Sequence, residues 1–473
     1  MSDIRFGTGG WRAIIGDDFI RENVNRVGQA ISEILLEDKL TDKPVMIGYD
    51  RRFLSEPGAR WLAEVFAGNG IDVLMMKRSA PSPLIMHTVQ KKQLHCGIEV
   101  TASHNPPEYD GLKVIVEEGR DASVEVTDRI EKYIARQKEI RRVDFKDALA
   151  SGKVQYIKNP FNEFIDDILA VMDKEAIRRK GLRVLFDPMH GSGTYPLEVI
   201  LNTCRCTLDI INSDKDAYFD GGYPAPSEDT LRPLADKVIR GGYDFGIAFD
   251  GDGDRLGIID STGRYVSMNE IIVMLYWYLH EKKGWKGPVV RNISTTYILD
   301  RMAKTFGEQC IEVPVGFKWV SAAIDKYNAV LGGESSGGLT VRGHINGKDA
   351  IYAVSLFVEM LAVTDMTVQE ISDLIAQNWG RSVFLDYALR FSPEDKIRIN
   401  KALMDEKRLP VFDKKVKKIS YMDGCKVFFE DDSYVICRFS GTEPVLRIMA
   451  ETSTKEESQV LLDVFRSFVE GLL

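Results

Sequence analysis

The segment FGIAFDGDGDRLGIID (residues 245–260) contains an apolar run, a loop with aspartates at alternate positions, and a second apolar run. We interpret the two runs as buried strands, Phe245–Phe249 and Leu256–Ile259. Glycines between the aspartates let the backbone turn tightly, so that the carboxylate oxygens can converge on one hard cation. The segment therefore predicts a strand–loop–strand unit whose metal ligands are Asp250, Asp252 and Asp254.

Oxygen ligands favour Mg²⁺ or Ca²⁺ over zinc. An EF-hand is excluded because its loop needs glycine at the sixth position and glutamate at the twelfth, where this chain has Arg255 and Ser261. The alternative of a solvated acidic turn would leave three bare carboxylates repelling one another behind a buried strand. A metal loop is the favoured interpretation.

Two other segments repeat the pattern of strand, polar glycine-containing loop and strand. Gly97–Val100 leads through TASHNPPEYD to Leu112–Val116, and Ala329–Leu331 leads through GGESSGG to Leu339–Val341. Three such units predict three related α/β domains, each contributing one loop to a shared site.

Elsewhere, short β-branched runs alternate with amphipathic segments of helical length, which is typical of α/β proteins. Examples are the strands Val45–Tyr49 and Ile71–Met76 and the helix Glu56–Gly68. Near residues 376–386 the pattern changes to a smaller α+β tail that ends in the helix Lys455–Leu472. Charged stretches near 136–153 and 260–264 suggest the first two joints, so the predicted domains are 1–150, 151–262, 263–376 and 377–473.

Length and composition exclude several classes of protein. The 473 residues exceed one ordinary domain, and 44% hydrophobic with 28% charged residues is the balance of a soluble globular protein. The longest apolar run, Ile271–Leu279, is far shorter than the roughly 20 residues that cross a bilayer, and predicts a buried helix. The N-terminal sequence has no signal-peptide pattern, and the six cysteines are scattered. We expect a cytoplasmic protein with reduced thiols.

The net charge of −9 argues against a general nucleic-acid or membrane surface, because both favour a basic face. An anionic ligand would have to be met by local cations. No Walker A pattern occurs, since Gly347-Lys348 is followed by Asp349, and the N-terminal glycines do not form G-x-G-x-x-G. Nucleotide binding is therefore unsupported.

The loop Thr101-Ala-Ser103-His104-Asn105-Pro106-Pro107 places a serine between a strand and a proline-stiffened turn. Such a serine could simply cap a turn. No G-x-S-x-G elbow is present, which disfavours acyl transfer. A hydroxyl that faces a metal loop is suited to carry a phosphate, because the cation neutralises phosphoryl oxygens. His104 and Lys113 offer groups for proton transfer and charge stabilisation.

Two further loops could bind a sugar phosphate. The carboxylate and hydroxyls of Gly333-Glu334-Ser335-Ser336-Gly337 could hydrogen-bond vicinal diols, although a plain surface turn fits this loop equally well. The stretch Arg438-Phe-Ser440-Gly441-Thr442-Glu443-Pro444 combines a guanidinium, two hydroxyls and the backbone N–H groups around a glycine. These groups suit an anion nest, and a salt-bridged surface turn is the alternative.

In this order and spacing, the four loops resemble those of the α-D-phosphohexomutase superfamily, which includes phosphoglucomutases, phosphomannomutases and phosphoglucosamine mutases. The resemblance extends from GTGGWR at residue 7 to RFSGTEP at residue 438, essentially the whole chain. It implies three similar mixed-sheet α/β domains and a smaller C-terminal α+β domain around a central cleft. It also implies transfer of a phosphoryl group between the 1- and 6-oxygens of a hexose, through a phosphoserine and a 1,6-bisphosphate intermediate.

The resemblance assigns roles residue by residue. Ser103 is the phosphorylated residue, and an oxygen of its phosphate joins Asp250, Asp252 and Asp254 around Mg²⁺. Arg12 and Lys113 flank the phosphoserine, with Lys113 as the candidate proton acceptor, and His104 completes the catalytic set. Glu334 and Ser336 contact sugar hydroxyls. The non-reacting phosphate is bound by Arg438, Ser440, Gly441 and Thr442, and substrate binding also includes Arg255 and Arg447.

Two segments indicate glucose as the sugar. Val315-Gly316-Phe317-Lys318-Trp319 and His344-Ile-Asn-Gly-Lys348-Asp349 resemble phosphoglucomutase loops, which adds Gly316, Lys318, His344 and Lys348 to the substrate-binding set. Ser335 departs from the residue that related enzymes often have. Mannose, glucosamine and pentose phosphates stay open as substrates.

Mutase activity implies hexose phosphate substrates and glucose 1,6-bisphosphate as activator, in a monomer or homodimer without nucleic-acid or membrane partners. The alternatives are a hexose-1,6-bisphosphate synthase that uses the same serine and a non-catalytic sugar-phosphate sensor. The intact nucleophile and metal carboxylates argue against the sensor.

Overall fold

The protein is described here from a computed structural model covering residues 4–7, 10–440 and 445–473. Contacts between α-carbons divide the chain into two compact units. The first unit comprises Met1–Ile271 and Ser336–Gln369, and the second comprises Ile272–Ser335 and Glu370–Leu473.

The first sheet of the first unit has the strand order β1-β2-β6-β5-β3-β4-β8, with β7 beside β6. Its strands are β1 (Phe6–Gly7), β2 (Gly10–Ile14), β3 (Val45–Tyr49), β4 (Val73–Met75), β5 (Cys96–Val100), β6 (Tyr109–Val116), β7 (Arg120–Asp121) and β8 (Val154–Tyr156). Its helices are α1 (Arg21–Glu37), α2 (Ser55–Gly68), α3 (Ser82–Lys91), α4 (Val124–Arg136) and α5 (Phe145–Ala150). Strands β3, β4 and β5 are parallel, whereas β5 and β6 form an antiparallel pair joined by the serine loop.

The second sheet of this unit has the order β10-β9-β11-β12-β13. Its strands are β9 (Arg183–Asp187), β10 (Thr207–Ile210), β11 (Phe245–Phe249), β12 (Leu256–Asp260) and β13 (Tyr265–Val266). The helices are α6 (Pro160–Val171), α7 (Lys174–Lys180), α8 (Thr194–Thr203) and α9 (Arg232–Gly241). Strands β9 and β11 are parallel, and the aspartate loop turns β11 into its antiparallel neighbour β12.

The second unit begins within α10 (Met268–Glu281), which contains the predicted buried helix. Three parallel strands follow in the order β15-β14-β16: β14 (Val289–Asn292), β15 (Cys310–Val313) and β16 (Leu331–Glu334). Helices α11 (Ile298–Phe306) and α12 (Phe317–Tyr327) connect them. The chain then returns to the first unit with β17 (Gly338–Val341) and α13 (Ala350–Thr364), and leaves it within α14 (Val368–Trp379).

The last domain is an antiparallel sheet in the order β18-β22-β21-β20-β19 with helices on one face. Its elements are β18 (Val383–Arg390), α15 (Pro393–Asn400), β19 (Val416–Ser420), β20 (Cys425–Phe429), β21 (Tyr434–Phe439), β22 (Val445–Thr452) and α16 (Lys455–Glu470). Leu461, Phe465 and Val469 recur every four residues along α16 and are buried against the sheet. This helix-on-sheet layer is the predicted α+β tail.

The predicted mixed α/β fold is confirmed, with small differences in where elements end. The strand expected at 329–331 instead runs from Leu331 to Glu334, because the small Gly332 and Gly333 pair with β14 inside the sheet. The last helix ends at Glu470 rather than Leu472. The domain boundaries and the central cleft stay predictions.

Among the described residues, no single helix has the length and apolar composition needed to cross a membrane. Only α13 and α14 meet those criteria when taken together, and they are bent by 84° at the break between them.

Candidate active site

The serine loop lies where β5 ends, and it holds Ser103 in an unusual backbone conformation. Ser103 has φ +52°, in the left-handed region that non-glycine residues rarely adopt, and its N–H donates to Oγ1 of Thr101 at 2.8 Å. Its hydroxyl donates to Oδ2 of Asp250 at 2.8 Å, and Nδ1 of His104 lies 3.4 Å from the same hydroxyl. The expected meeting of the serine loop and the aspartate loop is present in the first unit.

The aspartate loop lies where β11 ends, and its three carboxylates are buried. One oxygen from each of Asp250, Asp252 and Asp254 lies within 4.8 Å of the other two. Oδ1 of Asp250 accepts the backbone N–H groups of Asp254 and Arg255, both at 3.0 Å, which fixes the turn. A Cβ at Gly251 would lie 2.7 Å from the carbonyl oxygen of Ser103. Glycine is therefore required for the two loops to approach this closely.

Cationic and hydroxyl groups occupy one side of the carboxylates. Nζ of Lys113 lies 2.8 Å from Oδ2 of both Asp252 and Asp254, and Nζ of Lys348 lies 3.0 Å from Oδ2 of Asp254. The Ser82 hydroxyl donates to Oδ2 of Asp252 at 2.7 Å. The other oxygens, Oδ1 of Asp252 and of Asp254, are buried without a hydrogen-bond partner.

Buried acceptors without a partner are costly, and this donor set suits a hard divalent cation. The residues present therefore fit a metal ion held by the three aspartates. In Asp252 and Asp254, the Oδ2 atoms are satisfied by protein groups and the Oδ1 atoms are available as ligands.

The charges in this site shift several pKa values. Burial, together with Asp252 and Asp254, raises the pKa of Asp250 well above its ordinary value. Burial alone would lower the pKa of Lys113, but Asp252 and Asp254 outweigh it and raise this pKa. The positive charge of Arg255, followed by burial, lowers the pKa of His104 well below its usual value. Near neutral pH Lys113 is a cation and His104 a neutral imidazole.

Three other predicted site residues of the first unit contact loops or the start of a helix. Arg12 on β2 directs Nε toward the carbonyl of Ala102 at 3.4 Å, so it lies beside the serine loop. Nη1 of Arg255 donates to the Ser336 carbonyl at 3.4 Å. Nε2 of His344 lies 2.7 Å from Oδ2 of Asp349, which gives this histidine a structural partner at the start of α13.

In the second unit, Glu334 is held in place at the end of β16. Its Oε1 accepts from Nδ2 of Asn292 and from the backbone N–H of Gly316, both at 2.8 Å. Gly316 has φ +125°, a conformation that favours glycine. The structure therefore brings together Glu334 and Gly316, two residues that the sequence places in separate loops. Lys318, on the first turn of α12, lies with Nζ 5.6 Å from the ring of Trp319.

Two arginines of the C-terminal domain face each other across neighbouring strands. Arg438 on β21 pairs in register with Arg447 on β22. Each has a carboxylate nearby: Nε of Arg438 lies 3.3 Å from Oδ2 of Asp423, and Nη1 of Arg447 lies 2.9 Å from Oδ2 of Asp386. Like charges placed directly opposite destabilise a sheet, and here the carboxylate beside each guanidinium offsets that repulsion.

The Arg438–Arg447 pair brackets the predicted phosphate loop. The backbone N–H of Ser440 donates to the carbonyl of Val445 at 2.8 Å, which closes the base of the loop. Gly441 and Thr442 lie outside the described residues.

Several polar residues that contact the site were not predicted from the sequence. Ser82 contacts Asp252, Asn292 contacts Glu334, and Asp423 contacts Arg438. Arg52 and Asp50 contact the serine loop. The last two had a recognisable signal, because Asp50-Arg51-Arg52 directly follows a parallel strand, where functional side chains of α/β sheets gather.

Four family models match the chain in order. They describe phosphoglucomutase/phosphomannomutase alpha/beta/alpha domain I (residues 3–141), domain II (162–263), domain III (267–378) and the C-terminal domain (388–467).

Relatives match over nearly the full length. A phosphoglucomutase/phosphomannomutase of Thermococcus kodakarensis is 28% identical, with 99% of both chains covered. A phosphoglucosamine/phosphogalactosamine mutase of Sulfurisphaera tokodaii is 26% identical, with 98% of this chain and 99% of that protein covered. The crystal structure of a protein assigned as a phosphomannomutase from Thermus thermophilus matches with TM-score 0.86 and 27% identity, over 99% of each chain.

Three α/β domains and a C-terminal domain, with a serine and a carboxylate cluster in contact, define a phosphotransfer enzyme. The matches cover each of the four domains, and the chain belongs to the phosphoglucomutase/phosphomannomutase family. It is therefore a phosphohexomutase-type enzyme. The names of its relatives include glucose, mannose, glucosamine and galactosamine phosphates, so membership alone does not select the sugar.

Proposed function

We propose that this enzyme interconverts hexose 1-phosphate and hexose 6-phosphate through a phosphoserine at Ser103, with glucose as the preferred sugar. The observation that carries the proposal is the 2.8 Å contact between the Ser103 hydroxyl and Asp250, inside a cluster that also contains the unpartnered oxygens of Asp252 and Asp254. A serine that merely capped a turn would not need this arrangement.

The metal is proposed to be Mg²⁺, held by Asp250, Asp252, Asp254 and one oxygen of the phosphorylated serine. When bound, it neutralises charge on the phosphoryl oxygens. Lys113 donates to the Oδ2 atoms of Asp252 and Asp254, and their Oδ1 atoms stay available as ligands. Arg12 places a further positive charge beside the serine loop.

In the proposed reaction, phospho-Ser103 transfers its phosphoryl group to O6 of glucose 1-phosphate. The Oγ–P bond breaks, the O6–P bond forms, and the proton of the O6 hydroxyl passes to a base. Lys113, the acceptor that the family resemblance implies, is an ammonium near neutral pH and must lose its own proton before it can accept this one. The bisphosphate reorients, and Ser103 recovers the phosphoryl group from O1. Near neutral pH His104 is a neutral imidazole, so it can hydrogen-bond Oγ without adding charge.

The second unit contributes several of the proposed substrate contacts. Arg438 and Arg447 are proposed to bind the phosphate that is not reacting, because two opposed guanidiniums are stabilised by a dianion between them. Glu334, oriented by Asn292 and Gly316, is proposed to accept hydrogen bonds from sugar hydroxyls. The glucose assignment rests on the Gly316–Lys318 and His344–Lys348 segments, and glucose 1,6-bisphosphate is proposed as activator of a monomer or homodimer.

The test compares wild type, Ser103→Ala and the control Ser32→Ala, whose buried hydroxyl only donates within α1 to the carbonyl of Gly28. We expect turnover of glucose 1-phosphate to exceed that of mannose and glucosamine 1-phosphates, and trace 1,6-bisphosphate to activate it. Intact mass should show one phosphate that Ser103→Ala lacks. Substantial turnover by Ser103→Ala would refute the phosphoserine. Accumulation of free bisphosphate with little 6-phosphate would indicate a synthase.

A further inference from the structure

The loop that follows β3 contains a buried arginine bound to the serine loop. Arg52 is only 1% exposed. Its Nη1 donates to the carbonyls of Pro106 at 2.8 Å and Tyr109 at 2.9 Å, and its Nη2 to those of Ser103 at 2.7 Å and Asn105 at 2.6 Å. One guanidinium therefore binds four carbonyl groups of the segment that carries the nucleophile.

Asp50 is linked to Ser103 through the hydroxyl of Thr101. Its Oδ2 accepts from the hydroxyl of Thr101 at 2.7 Å, and that hydroxyl accepts the backbone N–H of Ser103 at 2.8 Å. Asp50 and Arg52 also form an ion pair, with Nε 3.4 Å from Oδ2. Both backbone polar groups of Ser103 are thus fixed by one buried Asp–Arg pair, the carbonyl directly and the N–H through Thr101.

This double attachment explains how Ser103 keeps its conformation. A serine at φ +52° is strained and persists only where its surroundings hold it there. The carbonyl that Arg52 binds is also the atom against which Gly251 of the aspartate loop packs, since a Cβ at Gly251 would lie 2.7 Å from it. Arg52 therefore sets the direction of the Ser103 hydroxyl and the spacing between the serine and aspartate loops.

We propose that Asp50 and Arg52 form a clamp that positions Ser103 for phosphoryl transfer, and that Arg52 is a positioning residue rather than a catalytic one. This inference rests on the proposed phosphoserine. Serine must donate the phosphoryl group to one sugar oxygen and recover it from another, so its backbone has to stay in place through both transfers. Reacting groups misplaced by about 1 Å lose roughly 100-fold in rate.

Lysine cannot replace Arg52 in this role. The guanidinium presents five donors in a rigid fork, whereas an ammonium carries three on one nitrogen and cannot reach four carbonyls arranged on two sides. The neighbouring Arg51 provides a matched control. Its Nη1 contacts the carbonyls of His190, Ser213 and Asp214, which lie in other loops of the first unit.

The experiment compares Arg52→Lys, Thr101→Val and the control Arg51→Lys. We expect Arg52→Lys and Thr101→Val to lower kcat about 10- to 100-fold, with KM for the hexose phosphate changed less than about threefold. Neither excess substrate nor excess Mg²⁺ should restore the rate. Arg51→Lys should keep kcat within about twofold of wild type. Thr101→Val carries the test alone if Arg52→Lys does not fold.

A second measurement is independent of turnover. Hydrogen–deuterium exchange of the peptide spanning residues 101–109 should speed up in Arg52→Lys and Thr101→Val but not in Arg51→Lys. Wild-type kcat in a folded clamp variant would overturn the positioning role, even if its melting temperature fell, and unchanged exchange would overturn the clamp itself. Failure of the proposed function is distinguishable, because the wild type would then lack mutase activity while the exchange result still tests the clamp.

Discussion

Replacing Ser82 with alanine should weaken metal binding while leaving the chemistry intact at high metal concentration. Ser82 begins α3, where its hydroxyl donates to Oδ2 of Asp252 at 2.7 Å and accepts from Nζ of Lys113 at 3.0 Å. These contacts decide which edge of the Asp252 carboxylate is used by the protein and which is left for a cation. Without the Ser82 contacts the Asp252 carboxylate can rotate, although Asp252 is still present as a metal ligand.

The magnitude follows from measured effects of groups that orient metal ligands, which are worth about 10- to 100-fold in affinity, or about 1.4–2.7 kcal/mol. We expect the Mg²⁺ concentration for half-maximal activity to rise by that factor in Ser82→Ala, with kcat at saturating Mg²⁺ near wild type. Direct titration with Mn²⁺ as a spectroscopic probe should show the same shift. Ser32→Ala is the control for a lost buried hydroxyl. Superimposable metal titrations for Ser82→Ala and wild type would refute the reasoning.

Three further outcomes are expected. Arg438→Ala should lose about 1.5–3 kcal/mol of phosphate binding, which lowers kcat/KM about 10- to 150-fold in both directions of the reaction. Impairment of one direction only would contradict a shared phosphate site. The pKa of His95 is raised, because its hydrogen bond to Glu117, together with a contact to Asp42, outweighs the opposing effect of burial. Its stabilising effect should be complete below pH 6.5 and disappear as pH rises through the raised pKa, so His95→Gln should flatten that part of the melting-temperature profile. Ser103→Ala should bind Mn²⁺ more weakly than phosphorylated wild type, as measured by spectroscopic titration; equal affinity would contradict coupling between the two charges.

The contact between Ser103 and the aspartate loop could be predicted because each residue directly follows a strand of a repeated unit. Strand periodicity locates the ends of β5 and β11, and chemistry then explains why a hydroxyl and carboxylates would share a site. Gly251 belongs to the DGDGD motif, but its close approach to the Ser103 carbonyl arises only in the folded structure.

Ser82 and Asp423 could not be predicted in the same way. Ser82 lies 170 positions from Asp252, and in the sequence it looks like an ordinary first residue of a helix. Asp423 occupies a short turn before β20, and only the folded C-terminal domain places it beside Arg438. Each contacts a predicted site residue from a segment that lies apart from it in sequence, and no local pattern records such a pairing.

The charges around Ser103 explain why a metal and a phosphate should be bound together. When all three are ionised, as metal ligands are, Asp250, Asp252 and Asp254 carry three negative charges. In the described part of the chain, Lys113, Lys348 and Arg255 lie within 4 Å of them and carry three positive charges. A divalent cation added alone would leave an excess of positive charge. A phosphoserine alone, with a charge of about −1.5 to −2, would leave an excess of negative charge. Burying either uncompensated is costly, whereas adding both restores the balance. We therefore expect the proposed metal binding and the proposed phosphorylation to favour each other by the same factor, so Ser103→Ala should bind metal more weakly than the phosphorylated wild type although its three carboxylates remain.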